Sequence, residues 1–305
     1  VSVGEHPLYR GRICTLTTPV GIAAGTSLRL FAGSHPSLPD LGSAVISGGG
    51  KTHHFSVFGS LTLEDLILEN GNSTVAGAIL IQNKNPTGVS IVTVFLTRTV
   101  IRGCESERGA VALRSAGTVF TMDGATLESN KGRFGGAIVA RSGALVNVIS
   151  TGTSSVTRIQ NNEATKWGGG IYLQNIGTLL TVTGDGTRLL LENNTATDFG
   201  GGLAVEAGAH VLVKSGATIE AKNNKARHGG GVFIVHKGSL IVTGSSTHLL
   251  LEHNEANYGG ALYINGGSSL LSKSGATLTA KHNVATQSGG GINIVQSGSF
   301  LLSTG

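Results

Sequence analysis

The chain has 305 residues, 48 of them glycine and 5 proline, with 39% apolar and 13% charged residues and a formal net charge of +5. That apolar content and low charge exclude a disordered polymer, and glycine without a three-residue period excludes collagen. The 22 Lys and Arg are spread along the chain, so the clustered basic footprint of a nucleic-acid binder is missing, and no apolar run approaches the ~18 residues of a membrane helix.

Residues 1–55 carry no clear repeat. "TSLRLFAG" and the run beginning "AVISGGG" still alternate short apolar stretches with turn residues. They are expected to form the opening coils and N-terminal cap of a repeat array, because terminal repeats are usually atypical. A chain that starts at Val1 without a signal peptide is expected to be processed or partial. From residue 56 to 305 one pattern recurs. A loose copy has Asn70 before "AGAILI", and a second has Cys104 before "RGAVAL", where cysteine replaces asparagine. The pattern then becomes regular. The last asparagine before each glycine run is Asn130, Asn162, Asn194, Asn224, Asn254 and Asn283, at intervals of 32, 32, 30, 30 and 29 residues.

Each unit splits into three apolar stretches separated by turn residues, such as "GIYLQ", "TLLTVTG" and "TRLLLEN". Runs of four to seven residues rich in Val, Ile, Leu and Thr read as strands, and none has the length or period of a helix. Three strands per ~30 residues without a crossover helix predict one continuous all-β domain. It is a three-sheet, pectin-lyase-like parallel β-helix in which each strand pairs with its equivalent about 4.8 Å above and below. A right-handed coil follows from the chirality of parallel crossovers. The asparagines at one corner are expected to stack as an amide ladder; the alternative is that each tolerates a left-handed turn on its own. Glycine there supplies backbone angles and close approach. At the far end "SGSFLLSTG" (297–305) matches "KGSLIVTG" (237–244), the second strand of a coil. The last coil therefore reads as incomplete. The edge of "SFLLST" (299–304) is expected to meet further coils of the same surface assembly or another copy of the chain.

At the glycine runs the sequence resembles the repeats of the chlamydial polymorphic outer membrane proteins, marked by GGA followed by Ile, Leu or Val and by FxxN. "GGAI" stands at 135–138 and "GGAL" at 259–262, with "GGGI", "GGGL" and "GGGV" elsewhere. FxxN is reduced to "LESN", "IQNN", "LENN", "AKNN", "LEHN" and "AKHN", which keep only the asparagine. The resemblance covers about residues 60–305. It implies a secreted β-helix displayed at a cell surface, often adhesive. The family's C-terminal membrane barrel has no counterpart in these residues.

Aligning the coils sorts the remaining polar and aromatic residues into columns. Two positions before the ladder asparagine stand Glu192, Lys222, Glu252 and Lys281, alternating in sign. Another column holds Lys166, Asp198 and Arg227. Both read as cross-strand ion pairs on a solvated face. Parallel β-helices also host polysaccharide lyases and hydrolases, which need acids or bases gathered on one bond. The five aspartates here are scattered instead. Phe134, Trp167, Phe199, His228, Tyr258 and Ser288 precede the glycines. Their rings pack the corner or, in Phe134, Trp167, Phe199 and Tyr258, offer a platform to a carbohydrate. His253 and His282, one coil apart, lack a third metal ligand. Cys14 and Cys104 pair or stay free; their spacing does not decide. Asn72 ("NST") and Asn193 ("NNT") head glycosylation sequons. The sequence thus points to a non-enzymatic extracellular structural or adhesive solenoid, without cofactor, nucleic-acid partner or membrane span. Its expected place is the cell surface, as a segment of a longer surface or filament-forming protein. Polysaccharide cleavage is the alternative.

Overall fold

The computed structural model describes residues 3–9, 12–33, 44–85, 90–152, 155–296 and 298–303. Every regular element among them is a β-strand, and the strands stack in parallel, coil upon coil. One coil shows the plan. Ile171–Gln174 lies in sheet C, Leu179–Thr183 in sheet A and Arg188–Glu192 in sheet B. Thr195–Ala196 then joins a short fourth sheet, D, before Leu203–Glu206 returns to C. Sheets A, B and C hold eleven, ten and ten strands. Sheet D has four strands, and isolated bridges at Lys225 continue it to the pair Glu255–Tyr258 and Val284–Ser288. Its strands run only two to five residues before the glycines, too short to stand out in the sequence.

Strand alternation places the core. In sheet B, Leu189 and Leu191 point inward and are fully buried, while Arg188 and Glu192 face out. In sheet A, Leu180 and Val182 do the same. Each such side chain contributes about 2 kcal/mol by leaving water. Coil after coil, these residues form one continuous apolar cluster from Ile22 to Leu270. The opening residues use the same ladders: Val3–Tyr9 pairs with Ser27–Gly33, which pairs with Ser60–Glu64. At the other end, Phe300–Ser303 pairs with Ser269–Lys273 on one side. Thr304, which the sequence pattern assigns to that strand, lies outside the described residues.

Polar order inside this apolar core comes from the asparagines at the bend between B and D. Asn130, Asn162, Asn194, Asn224 and Asn254 are all buried, and Asn283 is half-buried. Each of the first five donates from Nδ2 to the next asparagine's Oδ1, at 2.9–3.1 Å. The same Oδ1 accepts the preceding asparagine's backbone N–H at 2.9–3.0 Å. The second Nδ2 hydrogen goes back to a carbonyl of sheet B, for example from Asn224 to Leu191 O at 2.8 Å. Both donors and both lone pairs of an interior amide are thereby used. The residue just before each asparagine is left-handed: Asn161, Asn193, Asn223, His253 and His282 have φ of 53–56°. Left-handed turning and amide stacking thus fall on neighbouring residues.

Towards the N-terminus the ladder ends differently from the sequence pattern. Cys104 N donates to Asn130 Oδ1 at 3.0 Å, so Cys104 holds the ladder position. The position before it is Gly71, since Glu105 N bonds Gly71 O. Asn70 belongs to the left-handed column, with φ 54°. A Cβ on Gly71 would lie 1.9 Å from Gly77 O and 2.9 Å from the ring of His54, which together close off the place of the missing side chain. His54 Nε2 meets Ile46 O at 3.0 Å and Glu69 O at 3.1 Å, while its buried Nδ1 has no partner. Burial pushes the His54 pKa down to about 4 against these two carbonyl bonds. Burial also pushes the Cys104 thiol up to about 12, which leaves it inert, and Cys14 is exposed and free.

These contacts set two expectations. Asn224→Ala removes the acceptor of two donors on Asn194 and the donor to Leu191 and Asn254. In urea unfolding it is expected to cost about 3 kcal/mol or more, against about 1 kcal/mol for Asn283→Ala at the half-buried end. The His54 ring is neutral when folded. Between about pH 6.5 and 4 the unfolded chain binds a proton that the folded chain does not. Stability is therefore complete above that window and falls as pH drops through it, by about 3 kcal/mol. The difference between wild type and His54→Gln, measured from pH 7.5 to 4, should show this slope.

Candidate functional site

The feature that is not needed merely to close a coil is the outer corner where sheet D turns into sheet C. Two glycines make the turn. Gly168 has φ 65°, a left-handed angle that side chains resist. A Cβ on Gly169 would come within 2.4 Å of Gly201 O in the next coil. The third position takes Ala137 and Ala261 as well as glycine, which accounts for the mixture of GGA and GGG.

Two columns of side chains meet outside this bend. The first ends sheet D: Phe134, Trp167, Phe199, His228 and Tyr258 are in register and half-buried. Trp167–Phe199, Phe199–His228 and His228–Tyr258 have ring centroids 4.5, 5.1 and 5.0 Å apart. The second lies on the outer face of sheet C and comprises Val139, Tyr172, Ala204, Phe233 and Tyr263. These five are at most 9% exposed because the first column covers them. Phe134 stacks on Tyr172 at 5.6 Å, and Trp167 meets Phe233 edge-on at 5.5 Å. The result is a second, exterior hydrophobic seam parallel to the coil axis. Its outer rings pack on one another and on the inner column, and each stays part-exposed. The inner column is not among the sequence-derived columns; its signal is the central aromatic of "IYL", "VFI" and "LYI". Ser288 and Asn293 continue the two columns without rings.

At the N-terminal end of the seam, Arg133 and Arg141 lie over the Phe134 ring at 5.3 and 5.1 Å. Arg141 also lies over Tyr172 at 5.3 Å. The Tyr172 hydroxyl donates a short bond to Glu206. Burial, then that carboxylate, push the phenol well above its ordinary value.

The charge columns divide. Glu192, Lys222, Glu252 and Lys281 are in register on sheet B. Lys281 Nζ lies 2.8 Å from Glu252 Oε1, and that hydrogen bond holds Glu252 below the usual carboxylate range. Among the described residues Glu192 and Lys222 make no ion pair. Lys166 and Asp198 share one backbone bond, Asp198 N to Lys166 O, and the next, His228 N to Asp198 O, passes Arg227 by. A third column on sheet D does pair: Lys131 with Glu163 at 3.7 Å and Lys225 with Glu255 at 2.7 Å. Exposed pairs of this kind contribute ~0–1 kcal/mol each. Glu105, Lys131 and Glu163 also line an open groove of about 500 Å³. A lysine stands between the two acids, so they do not face each other across a bond. His253 and His282 stack at 4.9 Å, and among the described residues no three His, Cys, Asp or Glu gather as a metal site. Asn72 and Asn193 are both exposed.

Fold and corner together define a parallel β-solenoid of ~30-residue coils with an internal amide ladder. Residues 157–174 match the family model of the Chlamydia polymorphic membrane protein repeat. That segment carries Asn162, Trp167 and the glycines 168–170, so the match and the solenoid fit a Pmp-like β-helix protein. No curated protein and no solved structure matches the chain.

Trp167 is the single tryptophan, which makes the seam observable. Phe199→Ala removes a ring packed on Trp167, His228 and Phe233. It is expected to destabilise by about 2–4 kcal/mol and to shift Trp167 emission to the red as water enters.

Proposed function

We propose that the chain is a non-enzymatic, surface-displayed β-solenoid whose exterior corner makes adhesive contact with carbohydrate. The matched repeat is that of a surface β-helix family, which supports display outside the cell. The observation that carries the adhesive reading is the aromatic seam. The core, ladder and backbone bonds already hold the coils together, yet rings accumulate at one outer corner over consecutive coils from Phe134 to Tyr263. Rigid rings give contact area at low entropic cost, and the C–H faces of sugars pack on the ring surface that the half-buried column leaves exposed. Phe134, Trp167, Phe199 and Tyr258 are the contact residues on this reading. The solenoid's role is to hold them in line, one coil apart.

The test uses beads coated with the protein on animal-cell monolayers. Adhesion should exceed that of beads coated with an unrelated β-protein several-fold, and mild periodate oxidation of the cell glycans should abolish it. Adhesion at the control level, or adhesion indifferent to periodate, would remove the reading. Release of reducing ends from polygalacturonate by the protein would replace adhesion with cleavage.

A further inference from the structure

The described arginines differ in what they meet. Most of those on the ladders meet an acid: Arg98 pairs with Glu64 and Asp65, Arg102 with Glu69, and Arg188 with Glu220. Among the described residues Arg158 and Arg227 stand exposed without one, and four more without one cluster at the exterior corner. Arg108 and Arg133 precede the glycine bend in successive coils. Arg114 directly follows one sheet C strand and Arg141 ends the next, each one residue beyond the paired Leu113 and Ala140. Among the described residues none of the four has a carboxylate within ion-pair distance.

Their surroundings hold them in place without neutralising them. Arg133 and Arg141 lie over aromatic rings, and Arg114 Nη2 donates to Val75 O at 3.3 Å. The Nε atoms of both Arg114 and Arg141 are buried and have no hydrogen-bond partner. A buried donor without an acceptor is costly, and like charges one coil apart add to the cost. Burial, then Arg108 and Arg141, lower the Arg114 pKa. Burial leads for Arg141 too, and Arg108 adds to the lowering. The nearby acid, Glu206, is engaged by the Tyr172 hydroxyl, by Gln174 Nε2 at 3.3 Å and by His236 at 3.5 Å. Glu105 and Glu107 line the groove on the sheet D side, together with Arg133.

We propose that Arg108, Arg114, Arg133 and Arg141 form an anion-recognition site for the sulfate or carboxylate groups of an acidic polysaccharide. The inference rests on the reading of the corner as the contact face and names the class of glycan it takes. Guanidinium forks match planar or tetrahedral oxyanions bidentately, and the part-exposed guanidinium groups of these four residues have no carboxylate among the described residues to compensate them. The cationic coils adjoin the aromatic ones along the same corner, so an extended chain lying parallel to the axis meets charge first and rings next.

The test measures affinity for dextran sulfate, polygalacturonate, neutral dextran and single-stranded DNA. Wild type should bind the two acidic glycans with a steep salt dependence and ignore dextran; the ratio of the first two separates sulfate from carboxylate. Arg114→Gln/Arg141→Gln should lose at least tenfold, whereas Lys222→Gln/Lys225→Gln, which removes the same charge elsewhere, should change affinity less than twofold. Should the first double variant fold poorly, Arg108→Gln/Arg133→Gln gives the same readout from the other side of the corner. Equal losses in the arginine and lysine variants, unchanged binding in the arginine variant, or tighter binding to DNA than to either glycan would overturn the site. Bead adhesion separates the two readings. Adhesion that persists when arginine substitution has abolished glycan binding moves the adhesive face elsewhere and leaves the anion site standing. Wild-type adhesion with glycan binding that ignores the arginines removes the site and leaves the adhesive reading.

Discussion

The stacked side-chain amide fixes the phase of the coils from Asn130 to Asn283. A solenoid interior of leucine, valine and isoleucine is held together by non-directional contacts, which tolerate sliding. An asparagine in that interior does not. Moved by two residues, its amide would still face inward but against hydrocarbon, and it would lose its bonds to the next coil at a cost of several kcal/mol. Because each amide closes its bonds on the next coil, side chains at set offsets from it fall into columns. The left-handed residue lies one before, and the sheet B charge two before. The ring comes four residues after Asn130 and five after Asn162. A bulge between Gly132 and Phe134 absorbs that difference, so the rings stay aligned although the coils differ in length.

The same rule explains how much of the fold was legible. From Asn130 onward the asparagine recurs with little drift, so strand count, parallel stacking and the charge columns could be placed by counting. Before it, the ladder position is held by Cys104 and Gly71, and the place of the missing side chain is closed off by Gly77 O and the ring of His54. A histidine packed against a glycine from another coil leaves no periodic trace. Sheet D was hidden because its strands are short. The column of Tyr172, Phe233 and Tyr263 was hidden because alternation assigns the outer face of a strand to solvent. Only the first ring column, folding over it, makes that face a second interior.

The exterior corner differs from the rest of the surface in what it leaves unsatisfied. Elsewhere several charges are paired across coils. At the corner, aromatic area is concentrated and two guanidinium nitrogens are buried without acceptors. Such features weaken the fold on their own, and sites of recognition are where proteins retain them. The two sides of the wall differ along the stack: asparagine and leucine hold it from inside, and the bend gathers aromatic and unpaired cationic side chains outside.

The measurement that bears most directly on the ladder's role is native-state hydrogen exchange of the backbone amides of Asn162, Asn194 and Asn224. Each donates to the side-chain oxygen of the next ladder residue, at 3.0 Å. If the ladder fixes the coils, these amides exchange as slowly as those of Leu189 and Leu191 in the core strands, opening only with global unfolding. Exchange at the rate of exposed turn amides, while the strands remain protected, would contradict the central role given to the asparagines.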